Sequence, residues 1–214
     1  MTRQARAGDL ARILPDTYPD AHCELDFSSP LELLVATILS AQCTDKRVNV
    51  VTQQLFRRCR CARDYADIPQ AELEGIVHPT GFFRNKAKNL RAMAARLLSD
   101  HGGQVPRTLA ELAALPGVGR KTANVVLGNA FGLTEGIVVD THVARLSNRL
   151  GLTRSGDPVR IESDLMKLFP RDQWTDLSHW LIFHGRRRCM ARNPACGECE
   201  LQAICPSAGK SGKG

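Results

Sequence analysis

The chain has 214 residues, of which 43% are hydrophobic and only 5% aromatic, and its formal net charge is +7. That length suffices for one large domain or two small ones with ample core, and apolar content drawn mainly from Ala, Leu and Val favours a helical body. No run of about 18 or more apolar residues exists to span a membrane, and the positive balance points to a polyanion: DNA, RNA or acidic lipid. The N-terminus shows no hydrophobic leader, so the protein is expected in the cytosol or nucleoid.

Residues 1–22 are basic and helix-prone, with Leu10, Ile13 and Leu14 as an apolar stripe and Tyr18-Pro19 as the stop. Ser29 then reads as a cap with Pro30 in the first turn, opening a helix over Leu31–Ser40 that is apolar nearly all round and therefore buried. Ser40–Asp45, reading SAQCTD, interrupts it. Thr44 or Asp45 caps the next helix, Lys46–Arg58, whose Val48, Val51, Leu55 and Phe56 face inward. Arg57, Arg58, Arg60 and Arg63 read as a solvated basic patch. A short helix over Ala71–Val77 breaks before Pro79, and Thr80-Gly81-Phe82-Phe83 forms a turn. The long helix Arg84–His101 follows, with Leu90, Met93, Leu97 and Leu98 inside and Arg84, Lys86, Lys88 and Arg91 outside.

Leu112–Asp140 is the most informative stretch. Thr108 and Glu111 have capping-box spacing, so a short helix starts there and Pro116-Gly117 stops it. Leu115-Pro116-Gly117-Val118-Gly119 makes a tight hairpin, its two glycines allowing positive φ and close backbone approach. A second helix begins at once, with Ala123, Val126, Leu127 and Ala130 at core spacing. Its first turn presents amides to an anion, which makes Gly117, Val118, Gly119 and Arg120 candidate phosphate contacts. Lys121 lies in the same turn. The positive end of the helix dipole disfavours an ammonium there, partial burial would lower its pKa further, and a less cationic lysine suits amine nucleophilic catalysis. Asp140 ends the apolar run Ile137-Val138-Val139 and opens a helix over Thr141–Leu150. Its carboxylate, ionised at the helix start, can orient a water or stabilise developing positive charge.

Pro158–Leu168 and Gln173–Gly185 supply two further helices, with Trp174 and Trp180 in the core. His179 and His184, five apart, are poorly placed to share a metal on one helix face and read as structural. Cys189-x6-Cys196-x2-Cys199-x5-Cys205 is a strong metal signal, because four thiolates within 17 residues, bent by Pro194 and Gly197, can converge on one centre. A single CxxC leaves zinc and iron–sulfur both open on spacing. Arg186, Arg187, Arg188 and Arg192 flank this loop as candidate phosphate ligands. The tail from Ser207 to Gly214 is small, glycine-rich and read as disordered.

The motifs LPGVGRKTANVV and VDTH, within a match running from Glu24–Pro30 to Cys205, resemble the endonuclease III family of DNA glycosylases, with its helix–hairpin–helix and Gly/Pro-Asp signature. The resemblance implies an all-α fold of two helical lobes with a DNA cleft between them. One lobe spans about 24–133 and has about six helices. The other joins 1–23 to 134–206 and bears the cluster loop. It implies Lys121 as the Schiff-base lysine, Asp140 as the catalytic aspartate, and a [4Fe-4S] cluster on Cys189, Cys196, Cys199 and Cys205 with a structural role. Gln42 matches the glutamine that enters the DNA stack opposite an extruded nucleotide, and Phe82 matches an apolar wedge that is commonly leucine. Thr80 departs from the aliphatic usual before Gly81. Arg192 joins the DNA-binding set.

The activity implied is a monomeric glycosylase with AP lyase activity, acting on duplex DNA with oxidised pyrimidines or abasic sites. An adenine glycosylase of the same fold typically lacks a lysine at the hairpin position, so Lys121 counts against it. A non-catalytic DNA-binding module does not account for Gln42, Lys121 and Asp140 together. A nucleotide-binding phosphate loop at GVGRKT fails on glycine spacing.

Overall fold

The computed structural model describes residues 1–209, and within them every regular element is helical. In chain order the helices are α1 (Arg3–Thr17), α2 (Pro30–Leu39), α3 (Asp45–Arg58), α4 (Ala62–Asp67), α5 (Gln70–Val77), α6 (Phe83–His101), α7 (Leu109–Ala113), α8 (Arg120–Phe131), α9 (Thr141–Arg149), α10 (Pro158–Met166) and α11 (Trp174–Arg187). Single 3-10 turns lie at His78–Thr80, Arg171–Gln173 and Cys196–Glu198. The chain divides into two compact units: Glu24–Glu135, and Met1–Cys23 with the chain from Gly136 onward.

The first unit is built around α2. Every residue from Leu33 to Leu39 is buried, as expected of a helix apolar on all sides. Ser29 caps it by accepting the Glu32 amide at 3.2 Å, with Pro30 in the first turn. α8 packs on α2, while α4 and α5 pack on α6. Leu55, Leu73, Leu90, Met93, Leu97, Leu112, Val126 and Leu127 are all fully buried. Thr44 rather than Asp45 caps α3, taking the Arg47 amide at 3.3 Å.

Several expectations change here. α4 falls within what reads as a basic patch, because ARDYAD offers only Ala62 and Tyr65 as apolar anchors. Asp64 secures its start by accepting the amides of Arg60 (2.7 Å) and Cys61 (3.1 Å). Arg58 is not merely solvated, since its guanidinium pairs with Glu72. Lys86 is the clearest departure: expected on the outer face of α6, it is only 5% exposed.

The second unit packs α1, α9, α10 and α11 around Leu10, Leu14, Val143, Leu146, Ile161, Leu165, Leu177 and Leu181. Trp174 and Trp180 lie against this core, partly buried. Among the residues of the expected disordered tail, Ser207 donates to the Arg149 carbonyl at 2.8 Å, so the chain is held to that point. The rest of that tail, residues 210–214, lies outside the described residues.

Candidate functional site

The hairpin is made by geometry that its glycines permit. Gly117 has φ +77°, and a Cβ placed there would lie 2.9 Å from the Asn89 Cβ on α6. Both the left-handed backbone and the close approach therefore require glycine. Val118 donates its amide to the Leu115 carbonyl at 3.1 Å, closing the hairpin, and buries its side chain. Thr108 caps α7, while the Glu111 carboxylate receives the Thr108 hydroxyl. Gly119 is the N-cap of α8 and brings no side chain to cap its first turn. The amides of that turn form the positive end of a 12-residue helix. Lys121, second residue of α8, is exposed, so the partial burial expected of it is not what the fold gives.

Two loops of the same unit hold the residues matched to DNA insertion. Gln42 is exposed at φ 54° in the bend after α2. Phe82 is 64% exposed at φ 49°, the left-handed N-cap of α6, directly after Gly81 at φ 71°. Its neighbour Phe83 instead lies against the His78 ring, centroids 4.5 Å apart. Phe82 is therefore no part of the core, and its left-handed backbone has to be held by its surroundings. Thr80 is buried and donates its hydroxyl to the Val77 carbonyl at 2.8 Å, which explains a polar residue where an aliphatic is usual.

In the other unit Asp140 is the N-cap of α9, its Oδ1 accepting the Val143 amide at 2.8 Å. That bond holds one carboxylate oxygen at the positive end of α9.

Cys189, Cys196, Cys199 and Cys205 are half-buried and line a single cavity with Arg149, His184 and Leu201. Four thiols converging on one space, apolar on one side, fit a four-thiolate cluster. Arg149 shapes the loop, donating to the carbonyls of Met190 (2.7 Å) and Ala191 (2.9 Å) and to the Cys189 Sγ (3.3 Å). Arg145 donates to the carbonyls of Gly185 and Cys189, both at 3.0 Å. His184, 2% exposed, hydrogen-bonds the Tyr18 hydroxyl through Nδ1 (2.8 Å) and approaches the Cys199 Sγ through Nε2 (3.7 Å). Burial pushes its pKa down to about 4, which keeps the ring neutral, so that one nitrogen can accept while the other donates.

The sequence reading missed Arg145, Arg149 and Tyr18 in these roles. Its only signal for the first two was two arginines at i, i+4 on the helix after VDTH. Of the flanking arginines, Arg187 forks onto Asp20 (2.7 and 3.1 Å) and Arg188 onto Glu200 and Glu198. These two are committed to the chain's own carboxylates, so of the four the phosphate-binding expectation rests on exposed Arg186 and Arg192.

Comparison with known proteins agrees with this architecture. Residues 35–171 match the HhH-GPD superfamily base excision DNA repair protein model, and residues 189–205 match the iron–sulfur binding domain of endonuclease III. The chain is 54% identical to endonuclease III of Synechocystis over 97% of its length and 94% of that protein. It is 40% identical to endonuclease III of Escherichia coli over 96% of each chain. The structure of a non-covalent endonuclease III–DNA complex superposes with a TM-score of 0.92 at 45% identity, covering 98% of both chains. A trapped endonuclease III–DNA covalent intermediate matches equally well. The loop from Cys189 to Cys205 is thus the seat of a [4Fe-4S] cofactor. The chain belongs to the endonuclease III family of base-excision repair enzymes, DNA glycosylases with AP lyase activity.

Proposed function

We propose that this enzyme removes oxidised pyrimidines from duplex DNA, with Lys121 as the nucleophile and Asp140 as its electrostatic partner. The observation that carries the reading is the exposed Lys121 at the second position of α8, directly behind a hairpin whose backbone is shaped to meet a phosphate. An exposed amine can reach a sugar presented from solvent.

In the first step the Lys121 nitrogen lone pair bonds to C1′ of the deoxyribose. The glycosidic bond breaks and the base departs with its electron pair. The Asp140 carboxylate stabilises the positive charge that develops on the sugar, and can take the proton that the lysine nitrogen sheds. Ring opening gives the Schiff base. Loss of a C2′ proton then expels the 3′ phosphate and cleaves the strand by β-elimination. Gln42 and Phe82 fill the space left by the extruded nucleotide, a displacement that is easier where damage has already weakened stacking. Gly117, Val118, Gly119 and Arg120, with Arg192 from the cluster loop, hold phosphates. The cluster, when bound, supplies four iron–thiolate bonds that shape its loop. One chain carries every group this scheme uses, which supports a monomer.

The lesion assignment is tested by single-turnover excision from duplexes carrying one thymine glycol, one 8-oxoguanine, or one adenine mispaired with 8-oxoguanine. Excision of thymine glycol at least tenfold faster than the other two is expected. Faster removal of the mispaired adenine would move the enzyme to the adenine-specific class.

A further inference from the structure

We infer that Lys86 is a positioning residue that ties the Gln42 loop and the Phe82 loop to one anchor, so that the two DNA-inserting elements move as one body. The insertion roles of Gln42 and Phe82 rest on the reading under Proposed function. The tie itself rests on geometry within one compact unit.

Lys86 lies one turn into α6 with its ammonium turned inward, donating to the Leu39 carbonyl at 2.8 Å and to the Thr80 carbonyl at 2.7 Å. Leu39 is the last residue of α2, three positions before Gln42. Its carbonyl sits at the negative end of a helix, where an ammonium is favoured. Thr80 ends the 3-10 turn two positions before Phe82. A single charged group therefore bridges a carbonyl at the threshold of each loop.

Both loops also carry strain that needs holding. Among the described residues only Gln42, Phe82 and Asn193 adopt positive φ without being glycine, and two of these three are the loop tips in question. Such conformations persist where the surroundings over-determine them. A buried ammonium is costly unless its protons are bonded, so these two carbonyls and Lys86 constrain one another. Burial depresses the ammonium pKa, opposed by the Cys43 side chain beside Gln42. Among the described residues no carboxylate is its partner, so a salt bridge is not its purpose.

The test compares wild type with Lys86→Met, of similar length but without donors, and Lys86→Gln, one atom shorter and uncharged. Amide hydrogen exchange is measured on the cluster-loaded protein, and base displacement is read from a duplex with 2-aminopurine opposite a tetrahydrofuran abasic analogue. Both variants should lose tenfold or more of the protection at 40–44 and at 80–83 together, and the 2-aminopurine signal should develop at least tenfold more slowly. Covalent trapping on single-stranded abasic DNA, which has no opposing base, should fall no more than about threefold. Lys86→Gln serves if Lys86→Met does not fold. Unchanged protection at both loops, or loosening of one loop alone, would overturn the inference. Gln42→Ala and Phe82→Ala are run alongside. If they leave the 2-aminopurine signal at wild-type speed while the Lys86 variants still loosen both loops, the insertion roles fail and the tie stands.

Discussion

The hairpin before α8 and the cluster loop after α11 are both irregular segments that the family match assigns to function, yet they are held by opposite means. The hairpin is held by packing: Leu112, Leu115 and Val118 are buried, and Gly117 is pressed against Asn89. The loop from Cys189 to Cys205 buries one large aliphatic, Leu201, and is held by guanidinium groups on its carbonyls and by its thiolates. Apolar burial gives stability that needs no cofactor, whereas a loop built on polar bonds and metal ligands depends on each of them. The proposed nucleophile thus sits on the self-sufficient element, and the cofactor on the dependent one.

The largest effect is expected at Lys121. Lys121→Ala should abolish borohydride-trapped adduct and lower strand cleavage by about three orders of magnitude or more, while duplex binding and thermal stability stay near wild type. A variant that keeps its adduct would break the assignment. Next comes the cofactor. Oxidative removal of the cluster should raise hydrogen exchange across residues 189–205 at least tenfold and leave residues 112–120 unchanged. Equal loosening of both would show that the hairpin is not self-sufficient. Arg149→Met, which removes two carbonyl bonds and one sulfur bond, should speed bleaching of the cluster's visible absorbance severalfold and cost about 1–3 kcal/mol.

Within the hairpin, Gly117→Ala should cost about 1–3 kcal/mol through positive φ and the Asn89 contact. Gly119→Ala, at φ −95° with open space around its Cβ, should cost about 0.5 kcal/mol or less. The smallest effect is pH-linked. The Arg188 guanidinium holds the Glu200 carboxyl below its ordinary value, so this pair contributes above the ordinary carboxylate pKa and is lost as pH falls through the depressed one. Bleaching of the cluster should accelerate over that acidic window, and part of the acceleration should be missing in Glu200→Gln.

Most of the helices were legible in the sequence because their signals are local. Ser29 and Thr108 cap where expected, and α2 is buried on every side because it has no polar face. The proposed site residues were legible as motifs, since a glycine hairpin, a lysine one step into a helix and four spaced cysteines each imply local chemistry. What escaped was long-range. Arg149 reaches carbonyls 41 and 42 residues away, and Lys86 one 47 residues away. A lysine on a helix in sequence reads as solvent-facing, because only the tertiary fold reveals that backbone carbonyls wait for it inside. α4 escaped for a related reason: its order comes from Asp64 taking two amides, a bond pattern that hydrophobic periodicity does not record.

The central claim is that the Schiff base forms on the lysine behind the hairpin. The direct measurement is to trap the cluster-loaded enzyme on a thymine glycol duplex with borohydride, digest the adduct and sequence the modified peptide by mass spectrometry. The account predicts one modified residue, Lys121. Modification of the N-terminal amine or another lysine, or excision without any adduct, would contradict it.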